Sequence, residues 1–230
     1  MKRWVETEAR GGTLYDFHNV YLTPIQTLAL NVIVLSIIVL SLIRSERSLR
    51  DQSQWGMLIL LAIFGVSGRI LMEPIPNVQP VTVLVLLTGV YLGASRALAL
   101  AAIVGLASNV IFMGHGPWTI FQVIGWGTIG ISGSLLSDKL VVNEKLRLNR
   151  LALMAAASGI AFNWFVSLSI LLDTGFSMLV PYLLNGLVFD LYHAFGNILF
   201  VAWMATPLGE IMSRHRSSHS TEAVRDGVAN

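Results

Sequence analysis

The chain has no cysteine. That excludes disulfides, thiolate nucleophiles and cysteine-based metal sites. It also has little charge. Only 12% of its 230 residues are Asp, Glu, Lys or Arg, against about 25% in a soluble domain. The charges are segregated, and long stretches carry none. Apolar residues make up 54% of the chain, in continuous runs rather than the alternation of a membrane β-barrel. These features define an all-α, polytopic integral membrane protein. The formal charge of +2 calls for no nucleic acid, because basic loops that orient membrane helices account for it. No cleavable signal is expected, since the first 23 residues are polar and no small-residue cleavage pattern follows the first apolar run.

A bilayer core of roughly 30 Å takes about 20 apolar residues per helix. Candidate spans are 24–43, 55–72, 81–95, 97–114, 118–137, 151–172 and about 180–206. The third is short and runs into the fourth through "GASR". With the first helix ending in the cytoplasm, the inner connectors hold Arg44, Arg47, Arg50, Arg96, Lys139, Lys145, Arg147 and Arg150, and the tail adds Arg214, Arg216 and Arg225. The outer connectors 73–80, 114–117 and 173–179 hold no Lys or Arg. This recurring asymmetry predicts the N-terminus outside and the C-terminus inside, against Lys2, Arg3 and Arg10 in the first segment. The expected organisation is an extracytoplasmic tail (1–23), a first transmembrane helix (24–43), a six-helix membrane core (55–206) and a disordered cytoplasmic tail (207–230).

The outer connectors "EPIPNVQP", "GHGPWT" and "DTGFSMLVP" are rich in turn formers and hydrogen-bonding or aromatic groups. Ordinary turns with an interfacial aromatic belt would produce this. Three such loops on one side also suggest a lid over a pocket, with Asn77 and Gln79 in the first of them.

Polar groups inside the spans are costly and mark function or interhelical glue. Arg69 is the only cation within a span; Glu73, four residues on, is its expected partner if the helix continues. In the last span Gly186, Asp190, His193 and Asn197 share one face by their 4-3-4 spacing. Asp190 is placed to hold His193 one turn away. Asn109, Gln122 and Asn163 are single amides in three other helices. Trp118, Gln122 and Trp126 recur every four residues, a stripe able to stack and hydrogen-bond an organic ligand. Gly89, Gly93, Gly105, Gly125, Gly127, Gly130 and Gly133 permit close helix approach.

Residues 68–133, from "GRILMEPIPNVQP" to "GHGPWTIFQVIGWGTIGISG", together with "FDLYHAFGN" (189–197), resemble the substrate-binding S component of energy-coupling factor (ECF) vitamin transporters. The resemblance spans about 55–206 and implies a six-helix core that binds its ligand beneath the outer loops. It implies a high-affinity substrate-binding subunit, not itself an enzyme, in the bacterial cytoplasmic membrane. It makes Arg69, Asn77, Gln79, Asn109, Trp118, Gln122, Trp126, Asn163, Asp190, His193 and Asn197 the candidate substrate-binding residues. It also implies a transmembrane T component and two ATPase subunits as partners. This chain has no phosphate-binding loop, so ATP would be used by those partners, and no cofactor or metal is expected here. The docking surface for the T component would be the small-residue face Ala62, Gly65 and Gly68. The Gly-Pro-Trp-Thr stretch resembles S components associated with cobalamin uptake. The helix at 24–43 departs from the family plan.

Two other readings fit parts of the sequence. "GISG" (130–133) and His193 match the serine and histidine motifs of rhomboid-like intramembrane proteases, with Ser132 as nucleophile. A stand-alone secondary transporter is the other, although paired broken helices and repeated halves are not evident.

Overall fold

The computed structural model describes residues 22–44, 52–172 and 174–228, with side chains for 52–54 and 215–228 left aside. The expected positions Lys2, Arg3, Arg10, Arg47 and Arg50 lie outside the described residues. The described chain is helical throughout, apart from connectors and one two-residue hairpin.

The long helices are α1 (Pro24–Arg44), α2 (Gln52–Leu71), α3 (Val81–Leu92), α4 (Ala94–Ser108, continued by a π-helical turn Asn109–Met113), α5 (Trp118–Leu135), α7 (Leu148–Ser167, continued by a 3-10 turn Leu168–Leu172) and α8 (Leu179–Val228). Each of the seven apolar runs thus forms a helix. Four helical segments, Pro24–Arg44, Ala94–Met113, Leu148–Leu172 and Phe176–Arg214, are long and apolar enough to cross a membrane. Their outer faces carry large bare apolar side chains, such as Leu28, Val39, Leu191, Phe195 and Trp203. Water does not tolerate so extensive an apolar surface, whereas lipid does. The protein is therefore an all-α protein of membrane type.

The centre of the bundle is α3. All twelve of its residues are buried, and α2, α4, α5, α7 and α8 pack around it. A helix apolar on every side has no face to offer water, so it sits inside. At 1.5 Å per residue it is only about 18 Å long. It begins deep, because the connector 73–80 turns inward before it: Pro80 lies against Gly68, and Val78 lies against Gly196 of α8. At its other end Gly93 takes φ 91°, which glycine adopts without strain, and this turns the chain straight into α4. Arg96 Nη1 donates to the carbonyl of Leu92 at 2.6 Å, satisfying an end carbonyl of α3.

Close packing of α3 on α5 depends on glycine. A Cβ on Gly89 would stand 1.9 Å from the Gly130 carbonyl oxygen, and one on Gly133 would stand 2.5 Å from that of Leu86. α8 buries one helical stripe: Asp190, His193, Gly196, Asn197, Phe200, Val201, Met204 and Ala205. The first helix, α1, packs on α4 and touches α5 through a separate small core of Leu30, Val34, Ala102 and Val123.

Two expectations need correction. The Ala62–Gly65–Gly68 face, expected to dock a partner, is taken up inside the bundle. Ala62 is buried, a Cβ on Gly65 would meet Val104 and Leu84, and Gly68 carries Pro80. The outward side of α2 is instead Ile59, Leu60, Ile63 and Phe64. The segment after 206 is not a disordered tail, because the α8 backbone continues as helix to Val228 with Pro207 inside it. The basic connector 138–150 contains secondary structure of its own. Short helix α6 (Ser137–Leu140) leads into strands β1 (Val141–Val142) and β2 (Lys145–Leu146), paired antiparallel. Asn143 and Glu144 have φ of 51° and 61°, the signature of the two-residue type I′ turn that matches strand twist.

Candidate functional site

The ends of α2 and α4 meet the beginnings of α3 and α5, and polar side chains gather there. Arg69, two residues before the end of α2, is only 3% exposed. Its Nε donates to Gln79 Oε1 at 2.8 Å. Its Nη1 donates to Ser108 Oγ and, at 3.0 Å, to Asn109 Oδ1. All three acceptors are neutral. Glu73, the expected partner, is exposed on the connector. The helix stops at Leu71, so the i,i+4 geometry that would have joined Arg69 and Glu73 is never formed. The guanidinium also lies over the ring of Trp126, 4.9 Å from its centroid, a cation–π contact inside the bundle.

Asn109 is the hub of this outer cluster. It opens the π-helical turn of α4, a local widening common at functional positions. Arginine can only donate, so the atom facing it must be the carbonyl oxygen, and this fixes the carboxamide's orientation. Asn109 Nδ2 then donates to Thr119 Oγ1 at 2.9 Å and Gln122 Oε1 at 2.7 Å, both on α5. Thr119 Oγ1 also faces His115 Nδ1 at 3.1 Å and receives the Gly116 amide at 3.5 Å. Two donors already fill the hydroxyl's lone pairs, so its own proton goes to His115 Nδ1. The neutral imidazole therefore carries its proton on Nε2, which is buried with no partner among the described residues. Burial lowers the pKa of His115 from its ordinary value, which favours that neutral form.

A second cluster lies below Trp126. Trp126 Nε1 donates to Thr82 Oγ1 at 3.3 Å, and Thr82 Oγ1 lies 3.0 Å from His193 Nε2. His193 Nδ1 lies 2.9 Å from Asn163 Oδ1, and Asn163 Nδ2 donates to Asp190 Oδ1 at 2.9 Å. Trp164 Nε1 donates to Asp190 Oδ2 at 2.7 Å. Because Asn163 gives its N–H to the carboxylate, its oxygen must accept from His193. His193 is then the Nδ1–H tautomer, and Thr82 donates to its Nε2. Every hydrogen bond in this relay points towards the carboxyl group of Asp190. Phe162 packs between the rings, stacked on Trp126 at 4.5 Å and edge-on to His193 at 5.5 Å. Gly159 on α7 lets α8 approach, since a Cβ there would stand 2.7 Å from Asn197 Nδ2. Asn197 donates to the Ala155 carbonyl at 3.0 Å, and its Oδ1 is buried without a partner among the described residues.

Most of the sequence-predicted residues thus meet. Arg69, Gln79, Asn109 and Gln122 form the outer cluster, Trp126 joins it to the inner one, and Asn163, Asp190, His193 and Asn197 line the latter. Asn77 and Trp118 do not join them. Asn77 is exposed on the connector with φ 58°, a left-handed position asparagine tolerates. Trp118 staples its own turn: its Nε1 donates to the Gly114 carbonyl at 3.2 Å, and its ring covers Gly116. Asp190 reaches His193 only through Asn163. Thr82, Ser108, Thr119 and Trp164 are network members that the sequence reading did not single out. A single hydroxyl in an apolar helix resembles packing, and only Trp164, beside Asn163, carries a visible hint.

The serine–histidine pair of the protease reading is not assembled. Ser132 Oγ donates to the Thr128 carbonyl at 2.9 Å, and both ring nitrogens of His193 are engaged by Thr82 and Asn163. Among the described residues no group of three or more His, Asp or Glu side chains is arranged to hold a metal ion. No protein-family model, curated protein or solved structure matches the chain.

Proposed function

We propose that the chain is the solute-binding membrane subunit, or S component, of an ECF-type uptake transporter. Helices α2 to α8, the short α6 aside, make its six-helix core, and α1 is an additional helix seated on α4. The N-terminus lies outside and the C-terminus inside the bacterial cytoplasmic membrane. The solute enters from the side of the connectors 73–80 and 114–117, and a T component with two ATPase subunits supplies the energy. The solute is a vitamin or related micronutrient, and cobalamin is the first to test.

The observation that carries this reading is the polar cluster around Arg69 and Asn109, buried at the end of the bundle where those connectors meet. Polar groups are expensive in a membrane interior and are retained where they serve a solute or ion path. A few placed donors in a mainly apolar, aromatic surround is also the usual make-up of a small-molecule site. The resemblance in residues 68–133 and 189–197 supplies the family. Docking onto a T component falls elsewhere than Ala62, Gly65 and Gly68, which are occupied within the bundle.

The test is to purify the chain in lipid nanodiscs, identify small molecules that co-elute by mass spectrometry, and titrate cyanocobalamin by calorimetry. Replacing Gln122 by alanine is expected to weaken binding while membrane insertion persists. Accumulation of solute against a gradient by the chain alone in liposomes would overturn the assignment to an ATP-driven, multi-subunit system.

A further inference from the structure

The direction of the hydrogen bonds in the outer cluster determines which atoms are left over. Arg69 spends Nε and both Nη1 protons on Gln79, Ser108 and Asn109. Its Nη2, with two N–H groups, has no hydrogen bond to a described residue. Gln122 accepts from Asn109 through Oε1, which leaves its Nε2 pair of donors. His115 has its proton on Nε2, buried without a described partner. These groups belong to one hydrogen-bonded cluster. Arg69 and Gln122 are bonded to opposite ends of one carboxamide, Asn109, and His115 is bonded to Thr119, which accepts from that same carboxamide. The spare atoms are all donors.

The charge is unbalanced in the same sense. Arg69 is a buried cation whose hydrogen-bond partners are all neutral. Among the described residues the buried acidic side chain is Asp190, which accepts from Asn163 and Trp164 and is linked towards Trp126 only through Asn163, His193 and Thr82. A buried guanidinium without a counter-charge is unfavourable, and a hydrogen bond from its free Nη2 to an anion is charge-assisted.

We propose that the free Nη2 of Arg69, with the Gln122 carboxamide N–H and the His115 Nε2–H, binds a singly charged oxyanion of the solute, a carboxylate or a phosphodiester. One guanidinium and two neutral donors balance one negative charge, not the two of a phosphate monoester. The anion takes the place of the carboxylate that Glu73 does not provide. Trp126 lies beneath the guanidinium, its ring centroid 4.9 Å from the central carbon. This inference rests on the solute-capture reading for its biological sense.

The test is an NMR titration of the full chain in nanodiscs, reading the guanidinium nitrogen signals, with that of Arg69 assigned from an Arg69→Met variant. The probes are acetate and dimethyl phosphate, each beside its uncharged counterpart, acetamide and trimethyl phosphate. The expected result is a saturable shift of the Arg69 signal with acetate, dimethyl phosphate or both, and none with the neutral compounds. Which of the two acts more strongly distinguishes a carboxylate solute from a phosphodiester. Gln122→Leu, which leaves Arg69 in place, should weaken the response by about ten-fold or more, the worth of one hydrogen bond to a charged group. An Arg69 signal unmoved by either anion, or moved equally by the neutral compounds, overturns the inference. That outcome leaves solute capture standing if a neutral solute co-elutes. Conversely, a clear anion response in a chain that pumps solute unaided retains the site and removes the ECF assignment.

Discussion

The imidazole of His193 and the carboxylate of Asp190, nearly one turn apart on α8, are linked through the carboxamide of Asn163 on α7, 2.9 Å from each. Asn163 thereby ties two helices together and sets the tautomer of His193. Its replacement by leucine leaves the His193 Nδ1–H without its acceptor and Asp190 with one donor fewer. Each buried group so orphaned costs about 1–3 kcal/mol. Asn163→Leu is expected to lower the thermal midpoint markedly in detergent or nanodiscs. Asp190→Asn, which can rotate its amide to restore a bond, should be milder. Equal loss from the two would show that Asn163 is not the bridge.

Glycine positions separate sharply by their surroundings. At Gly89 an added methyl would overlap the backbone oxygen of Gly130 on the facing helix, and backbone cannot swing aside as a side chain does. Gly89→Ala should therefore push α3 from α5 and abolish the folded, monodisperse protein. At Gly186 nothing lies within 4 Å of the added carbon. Gly186→Ala should be neutral or stabilising, by up to about 1 kcal/mol of helix propensity. Size-exclusion profiles and thermal midpoints of the two variants check this contrast.

The helices could be read from apolar runs because hydrophobic length alone selects them. The polar face of α8 could be read because Asp190, His193 and Asn197 repeat at helical spacing. Partners across helices were not legible. Arg69 has Glu73 four residues on, yet the end of α2 at Leu71 turns that carboxylate outward and the returning connector presents Gln79 instead. The small residues of α2 looked like an open surface, but sequence spacing does not say which side of a helix faces the centre. Trp118 and Trp126 share a stripe, yet one closes a turn and the other is fully buried, because the stripe runs from the bundle's end towards its centre.

Arg69 is expected to be irreplaceable even by lysine. Its three hydrogen bonds to Gln79, Ser108 and Asn109 leave in two directions from a planar group, which also lies over Trp126. An ammonium has neither the fork nor the flat face. Arg69→Lys should leave Gln79 or Asn109 without its donor and lower stability by about 1–3 kcal/mol. Thermal unfolding compared with the wild type reads this directly, and an unchanged midpoint would show that charge alone suffices.

His115 provides a pH test whose sign is fixed. Burial holds its pKa below the ordinary value of 6.5, and only the neutral ring can accept the Thr119 proton at Nδ1. Between the lowered pKa and 6.5 the unfolded chain binds a proton that the folded chain refuses. Stability from this group is thus fully present above pH 6.5, falls as pH decreases through that interval, and levels off below the folded-state pKa. His115→Gln retains an acceptor oxygen for Thr119 but does not titrate. The difference in thermal midpoint between wild type and His115→Gln should therefore be constant above pH 6.5. Below it, the wild type should lose stability relative to the variant. A difference that stays flat across the whole range would show that His115 titrates alike in the folded and unfolded chain, and that the Thr119 bond does not hold its tautomer.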